Sequence, residues 1–591
     1  MKNNHSLRYI SLGAVFVILA FVIIARLVHI QIGPPQAEIE DYKLADGIAR
    51  KTFTPARGQI YDRRGNLLAG GKQIYSVALN LNEVTNPETI ATSVSIILGL
   101  DYDKIYALAN QDLETAELTY ITLDSFVTLE EFERLDTLQT QLFTDPENAG
   151  TSADGRRHSL AGLVFNARLD RRYPEGALAS NVIGFVSMDG ESNFGVEAGL
   201  ENFLSGVEKS ESYSLDPNRA LELPNISPGA SVILTIDRAM QSSVEEILDD
   251  AIEQTSSNAG AIIVMNPKTG EILAMASAPR MDLNEFWKFD DIFDKSTPFN
   301  KAIDAYEPGS IFKIITMVAG LDTGTVEPDT SYTVEESIKV GGAKVVNWDG
   351  RAWGPQTMTE CMQHSLNVCL AWVAQQVGQT QFYEYIEAFG IGTPTGISLD
   401  NEPSGLIRFP HQMNWTESDL GRNAYGQSVS VTPLQMLRAI SAIANDGVMV
   451  SPQILHAVVD QGYQYEIAPE MAGTPMSPDT AHEISEMLAE SLVKEASSAL
   501  LPNYRVAGKT GTASIPTING YDPYLTNASF VGWGPVDDPQ FMIYVWLEKP
   551  ISSRWASVVA APVFRHVAEK VVVLMEIPPD SVRMSMSVPG E

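Results

Sequence analysis

Three short motifs carry side chains whose types and spacing suit acyl transfer through a serine nucleophile. They are Ser310-Ile311-Phe312-Lys313, Ser365-Leu366-Asn367 and Lys509-Thr510-Gly511-Thr512, in that order along the chain. A serine hydroxyl is a poor nucleophile until a neighbouring base takes its proton. Lys313 follows Ser310 by three residues in a helix-like run, on the same helix face and within reach of it. A lysine acts as a base only when neutral, and bringing its pKa from about 10.4 to about 7 takes roughly 4–5 kcal/mol of differential interaction. Desolvation and a second ammonium both push that way, and Lys509 is the candidate second cation. Ser365 and Asn367 supply a relay hydroxyl and an amide suited to holding Lys313 and a substrate carbonyl. Strand alternation puts Lys509 and Gly511 on one face, with Thr510 and Thr512 on the other. The glycine there lets a substrate backbone approach closely. The backbone N–H groups of Thr512 and Ser310 are candidate oxyanion donors, each typically worth about 10²–10³ in rate. No serine–histidine pairing stands out among the 8 scattered histidines.

Each motif has a second copy, so context must separate site from coincidence. Lys268-Thr269-Gly270 lies in the Pro/Gly turn between two expected strands, Ala261 to Met265 and Glu271 to Ala276, and caps a hairpin. Ser491-Leu492-Val493-Lys494 falls in the middle of a charged helix without a Pro-Gly entry, and is expected to be solvated surface. Ser256-Ser257-Asn258 is the third decoy. Ser310, by contrast, follows Glu307-Pro308-Gly309 and opens the helical run Ile311 to Leu321. That places its hydroxyl in a first helical turn, where free N–H groups and the dipole favour developing negative charge.

The elements that position these residues read as one α+β domain whose sheet comes from both ends of its sequence. Ser231 to Ile236 alternates as a strand, and Met240, Val244, Ile247, Leu248, Ala251 and Ile252 recur at helical spacing. Residues 300–500 are largely helical. Val506 to Ser514, Ala528 to Trp533 and Phe541 to Glu548 read as strands, and Pro562 opens a last helix that Pro578-Pro579 ends. Upstream, Gln59-Ile60-Tyr61 and Leu67-Leu68-Ala69 read as a hairpin around Arg63-Arg64-Gly65-Asn66.

At 591 residues the chain requires several domains. Its net charge of −34 argues against nucleic-acid binding. Tyr9 to Ala25 carries no charge, and with Leu27 to Ile30 it is long enough to span a bilayer core of about 30 Å. Lys2 and Arg8 precede it, so the first residues are expected in the cytoplasm and everything after residue 32 outside. Arg26 and the bulky Val28-His29-Ile30 stand where a signal peptidase would need small residues, which favours an uncleaved anchor. The expected division is 1–8 cytoplasmic tail, 9–30 transmembrane anchor, 31–230 non-catalytic module, 231–579 catalytic domain and 580–591 disordered tail. Cys361 and Cys369 fall in one expected helix, about 12 Å apart. A disulfide needs Cα atoms within about 6.8 Å, so both read as buried free thiols, and neither has neighbours at metal-ligand spacing.

At these residues the chain resembles class B penicillin-binding proteins, the monofunctional peptidoglycan D,D-transpeptidases. The likeness covers nearly the whole chain. It takes in Arg57-Gly58-x-Ile60-x-Asp62-Arg63-x-Gly65, the Gly195 to Glu201 segment, Thr235-Ile236-Asp237, Glu307-Pro308-Gly309-Ser310, Gly426-Gln427, Thr432-Pro433-Leu434-Gln435 and Ala507 to Ala513. The resemblance implies an antiparallel sheet flanked by helices, preceded by a mixed α/β pedestal of the dimerisation type and one membrane anchor. It implies that Ser310 attacks the penultimate D-Ala carbonyl of a stem peptide, that an amine of a neighbouring stem resolves the acyl-enzyme, and that β-lactams acylate the same serine. Ser310, Lys313, Ser365, Asn367 and Lys509 are then the catalytic set, and Thr510, Gly511 and Thr512 bind substrate, without cofactor or metal. A membrane-embedded glycosyltransferase and other divisome proteins are the implied partners. The third position of Ser365-x-Asn367 and the short pedestal resemble the division type; an elongation-type enzyme, a β-lactam sensor and a β-lactamase are the alternatives. Whether water or an amine resolves the acyl-enzyme stays open.

Overall fold

The computed structural model describes residues 48–586, apart from 54, 114–117, 146–149, 153–154, 215–226, 294–297 and 518–519. The expected tail at 1–8 and anchor at 9–30 lie outside the described residues, among which no helix is long and apolar enough to cross a membrane. Ile48–Phe53 and Lys209–Ser214 pair antiparallel in a small unit of their own. Residues 57–205 and 229 onward form the second unit, which contains every candidate residue.

In that unit the expected hairpin is present. Asp62 accepts the backbone N–H groups of Arg64 (2.9 Å) and Asn66 (2.7 Å), turning β1 (Ile60–Tyr61) into β2 (Leu67–Asn80). Helices α1 (Pro87–Leu98), α2 (Tyr102–Ala109) and α3 (Leu129–Thr144) bury Ile90, Val94, Ile105 and Leu135 against Val77 and Leu79 of β2. β3 (Tyr120–Val127) and β4 (Leu163–Arg172) flank β2 on either side. On the far edge of the same seven-stranded sheet, β1 runs parallel to β5 (Ser231–Leu234), followed by Leu455–Asp460 and Tyr463–Glu466.

Asp237 then caps α4 (Arg238–Thr255) by accepting from the N–H groups of Ala239 and Met240. A second, five-stranded antiparallel sheet follows. β6 (Ala259–Met265) and β7 (Ile272–Ala278) come from one end of the sequence; β8 (Ala507–Thr517), β9 (Gly520–Gly534) and β10 (Phe541–Glu548) come from the other, in the order β7-β6-β10-β9-β8. Alternate residues feed two cores. Ile262, Val264, Phe530 and Val545 pack with Met240, Val244 and Leu248 of α4 and with Val563, Phe564 and Val567 of the C-terminal helix. Ile263, Tyr544 and Trp546 face the other way, with Ile311, Phe312, Ile314 and Ile315 of the serine helix α5 (Lys313–Asp322) and the turn before it. Fully burying each such side chain is worth about 1.5–3 kcal/mol, so the serine helix is fixed against the face of the sheet, and β8 is the sheet's edge strand.

Three expectations are corrected. The stretch holding both cysteines is two helices, α6 (Met358–Gln363) and α7 (Asn367–Val377), broken at Ser365, which adopts φ +54°. The break brings the Cα atoms of Cys361 and Cys369 to 6.1 Å, and they form a disulfide rather than free thiols. Ser491, in α8 (Pro478–Glu495), is 4 % exposed and donates to the Met487 carbonyl, so the serine of that decoy is buried while Val493 and Lys494 are solvated. After α9 (Ala561–Leu574), residues expected to be a disordered tail form α10 (Asp580–Met586), where Arg583 pairs with Asp537 at 2.7 Å.

Candidate active site

Ser310, the candidate nucleophile, sits in a tight turn, Gly309–Phe312, that leads into α5. Gly309 takes φ +54°, and a β-carbon there would come within 3.1 Å of the Thr512 carbonyl, so the turn is pressed against β8. Its N–H donates to the Gly426 carbonyl at 3.1 Å, and Gly426 in turn has no room for a side chain. Thr316, one turn further along α5, donates to the Ala424 carbonyl at 2.8 Å and ties the helix to the same loop.

Lys313 is fully buried, and its Nζ touches three oxygens: Ser310 Oγ at 3.0 Å, Ser365 O at 2.7 Å and Ser365 Oγ at 3.0 Å. Burial, and then the positive charge of Lys509, hold its pKa far below that of an ordinary lysine. Lys509 is itself 4 % exposed, and burial draws its pKa down to about 8 against the opposing charge of Glu495. The structure therefore places Ser310, Lys313 and Ser365 in direct contact, with Lys509 near enough to act on Lys313 through charge. Asn367 is differently engaged: its amide donates to the Val346 carbonyl at 3.0 Å rather than holding Lys313.

On β8 the alternation is as the strand pattern requires, with Lys509 and Gly511 buried and Thr510 and Thr512 half-buried. The reason for glycine at 511 differs from the expected one. A β-carbon would fall 2.4 Å from Ser529 Oγ and 2.9 Å from Ile311, so the space is filled by the protein's own serine turn. Thr512 Oγ1 accepts from the Ala556 N–H at 3.2 Å, which fixes the strand from its other side.

Sequence reasoning gave no role to Glu307. Its Oε1 accepts from the Ser428 N–H and from the Tyr521 hydroxyl, both at 3.1 Å, joining the serine turn, the Gly426 loop and the β8–β9 hairpin. Burial raises its pKa, while those hydrogen bonds oppose the rise. The only sequence signal was its place in Glu307-Pro308-Gly309-Ser310. Trp348 and Trp555 were also missed; their rings meet at 5.4 Å, one bonded to the His364 carbonyl and the other preceding Ala556. The remaining decoys are structural. Lys268 pairs with Asp538 at the β6–β7 turn, and Ser257 bonds Thr255 where α4 leads into β6.

A serine at a helix entrance, a buried lysine with a depressed pKa and a cationic edge strand together define a class: serine acyltransferases that use amine rather than imidazole chemistry. Residues 260–569 match the penicillin-binding protein transpeptidase domain and residues 52–222 the penicillin-binding protein dimerisation domain, and the chain belongs to that transpeptidase family. It is 29 % identical over 533 residues to stage V sporulation protein D of Bacillus subtilis, covering 87 % of this chain and 78 % of that one. It is 25 % identical to the peptidoglycan D,D-transpeptidase FtsI of Buchnera aphidicola, over 98 % of this chain and 97 % of that one. Among solved structures, penicillin-binding protein 3 of Mycobacterium tuberculosis complexed with aztreonam superposes with a TM-score of 0.67 at 25 % identity, covering 90 % of this chain and 98 % of that one.

Proposed function

We propose that this chain is a peptidoglycan D,D-transpeptidase of the division type, with Ser310 as nucleophile and Lys313 as its base. The observation that carries the assignment is the set of three oxygens around Lys313 Nζ. A neutral amine has two N–H bonds and one lone pair. The two donors satisfy the carbonyl and hydroxyl oxygens of Ser365, which leaves the lone pair for the Ser310 hydroxyl proton. As that proton moves to Lys313, Ser310 Oγ bonds to the penultimate D-Ala carbonyl carbon. The oxyanion is held by the N–H groups of Ser310 and Thr512, and the proton then passes through Ser365 to the departing D-Ala amine. An amine of a second stem peptide repeats the sequence in reverse and takes the acyl group. β8, as the edge strand of the sheet, is where an extended stem peptide would add alongside Thr510, Gly511 and Thr512. Lys509 attracts its carboxylate. A β-lactam acylates the same serine, in keeping with the aztreonam complex of the mycobacterial neighbour.

The division role rests on the FtsI relative and on the Ser365-x-Asn367 form of the second motif. Residues 9–30 are the proposed membrane anchor, with the catalytic unit outside, the module before residue 231 as its pedestal, and a membrane glycosyltransferase and divisome proteins as partners. The test is fluorescent penicillin labelling of the purified chain. Ser310→Ala abolishes labelling and Ser491→Ala leaves it intact. A donor pentapeptide with and without an acceptor amine then separates cross-linking from hydrolysis. Labelling that survives in Ser310→Ala removes the nucleophile assignment.

A further inference from the structure

The disulfide brackets the second motif: Cys361 lies in α6, Cys369 in α7, and Ser365 and Asn367 are in the turn between them and at the start of α7. Nothing in the local sequence explains that turn. Residues 358–377 contain neither glycine nor proline, and they suit one continuous helix. Ser365 breaks the run in the left-handed region, φ +54°, a conformation that disfavours residues with a β-carbon. In a continuous helix the Ser365 carbonyl would accept from the N–H of Cys369. In the broken form that carbonyl is free to take the 2.7 Å hydrogen bond from Lys313, and the Ser365 hydroxyl lies beside it. The straight helix would also separate the cysteines by about 12 Å, whereas the observed Cα distance is 6.1 Å. The bond is therefore compatible with the broken form and incompatible with the straight one. Both sulfurs are fully buried, so the link acts within the core rather than at the surface.

We infer that the Cys361–Cys369 disulfide is a positioning element of the active site. It excludes the continuous helix and so keeps Ser365 beside Lys313. This rests on the reading of Lys313 as the base for Ser310. Its effect runs through Ser365, and neither sulfur touches substrate.

The measurement is the second-order rate of penicillin acylation, with thermal unfolding in parallel. The double variant Cys361→Ala/Cys369→Ala is expected to lose about fivefold to thirtyfold in rate, the cost of holding a residue with a β-carbon in the left-handed region once the continuous helix is open to the chain. The deciding arm adds His364→Gly. His364 is the last residue before the break, outside the catalytic set, where it pairs with Glu495 at 2.9 Å. Glycine there disfavours the straight helix by about twofold relative to histidine, and so should restore about twofold in rate to the crosslink-free chain. A purely stabilising role for the disulfide predicts no such rescue, since the glycine also removes the Glu495 pair. The inference is overturned if the double variant acylates within twofold of the parent, or if the glycine recovers nothing. It is also overturned if the crosslink-free chain fails to fold with or without the glycine, because the bond would then hold the fold rather than the turn. Failure of the parent chain to label at Ser310 would instead refute the acyltransferase reading, so the two failures remain distinct.

Discussion

Two lysines of unlike duty share one buried site, and their difference is the chemistry. As the proposed base, Lys313 must be neutral to take a proton, and burial and then the charge of Lys509 push it in that direction, well below an ordinary lysine. Lys509 must be charged to depress Lys313 and attract a carboxylate, yet burial has drawn its own pKa down to about 8. The two requirements oppose each other along the pH axis. The second-order acylation rate reports the free enzyme, so it should rise with pH as Lys313 loses its proton and fall as pH passes through about 8, where Lys509 loses its own. A pH profile of penicillin acylation checks this, and a rate still climbing at pH 9–10 would refute the cationic role of Lys509. Substitution separates the roles as well. Arginine keeps a charge and cannot give up a proton. Lys313→Arg should therefore be as inactive as Lys313→Ala, while Lys509→Arg retains part of the rate that Lys509→Ala loses.

Among elements, the loop around Gly426 packs against the turn that carries Ser310, the proposed nucleophile. Gly426 takes φ +79°, and a β-carbon there would lie 2.1 Å from the Gly309 carbonyl oxygen. Gly426→Ala must displace the serine turn and also bear a left-handed alanine, which costs about 1–2 kcal/mol. The expected result is a loss of acylation of tenfold or more with a smaller change in thermal midpoint, and equal acylation in mutant and parent would show that the loop does not buttress Ser310. This contact was legible in sequence only as the adjacent Gly426-Gln427, without a partner. What was legible had period and punctuation. Phe541–Glu548 is a strand with the expected limits, and α9 starts at Ala561 with Pro562 in its first turn. The break at Ser365 was not legible, because it has no glycine or proline to mark it and depends on Lys313, 52 residues away in sequence. The same holds for Ser491: its neighbours Glu490 and Lys494 are charged, but its own position on α8 faces inward. The tail helix α10 is held by Arg583 and Asp580, whose partners lie in earlier loops that no local pattern reveals.

For the molecule as a whole, Glu197 joins stretches that are far apart in sequence. The carboxylate is fully buried and accepts from Arg57 at 2.7 Å and Arg171 at 2.6 Å. Arg171 also donates to the Gly58 carbonyl at 2.6 Å, and the Gly58 N–H donates to the Leu204 carbonyl at 2.8 Å. Gly58 has no room for a β-carbon, which would lie 1.9 Å from the Ala230 oxygen. The knot thus ties the chain entering β1, the end of β4, the Gly195–Gly199 helix and the approach to β5, where the two halves of the seven-stranded sheet meet. Removing Glu197 leaves the buried Arg171 without its carboxylate, while Arg57 keeps Glu201 at 2.7 Å; stranding a buried charge in this way typically costs about 3–5 kcal/mol. Glu197→Ala should lower the stability of the second unit by about that amount in urea unfolding. Acylation per folded molecule should stay within twofold, since the knot touches no catalytic residue. A triple replacement, Glu197→Leu with Arg57→Met and Arg171→Met, removes the buried charges together, leaves only Glu201, whose side chain is 40 % exposed to water, and should recover much of the loss. If the triple variant were as unstable as Glu197→Ala, the cost would lie in lost packing and hydrogen bonds rather than in stranded charge. If Glu197→Ala were itself stable but slow to acylate, the knot would be coupled to the active site, and the sheet would be the element that transmits it.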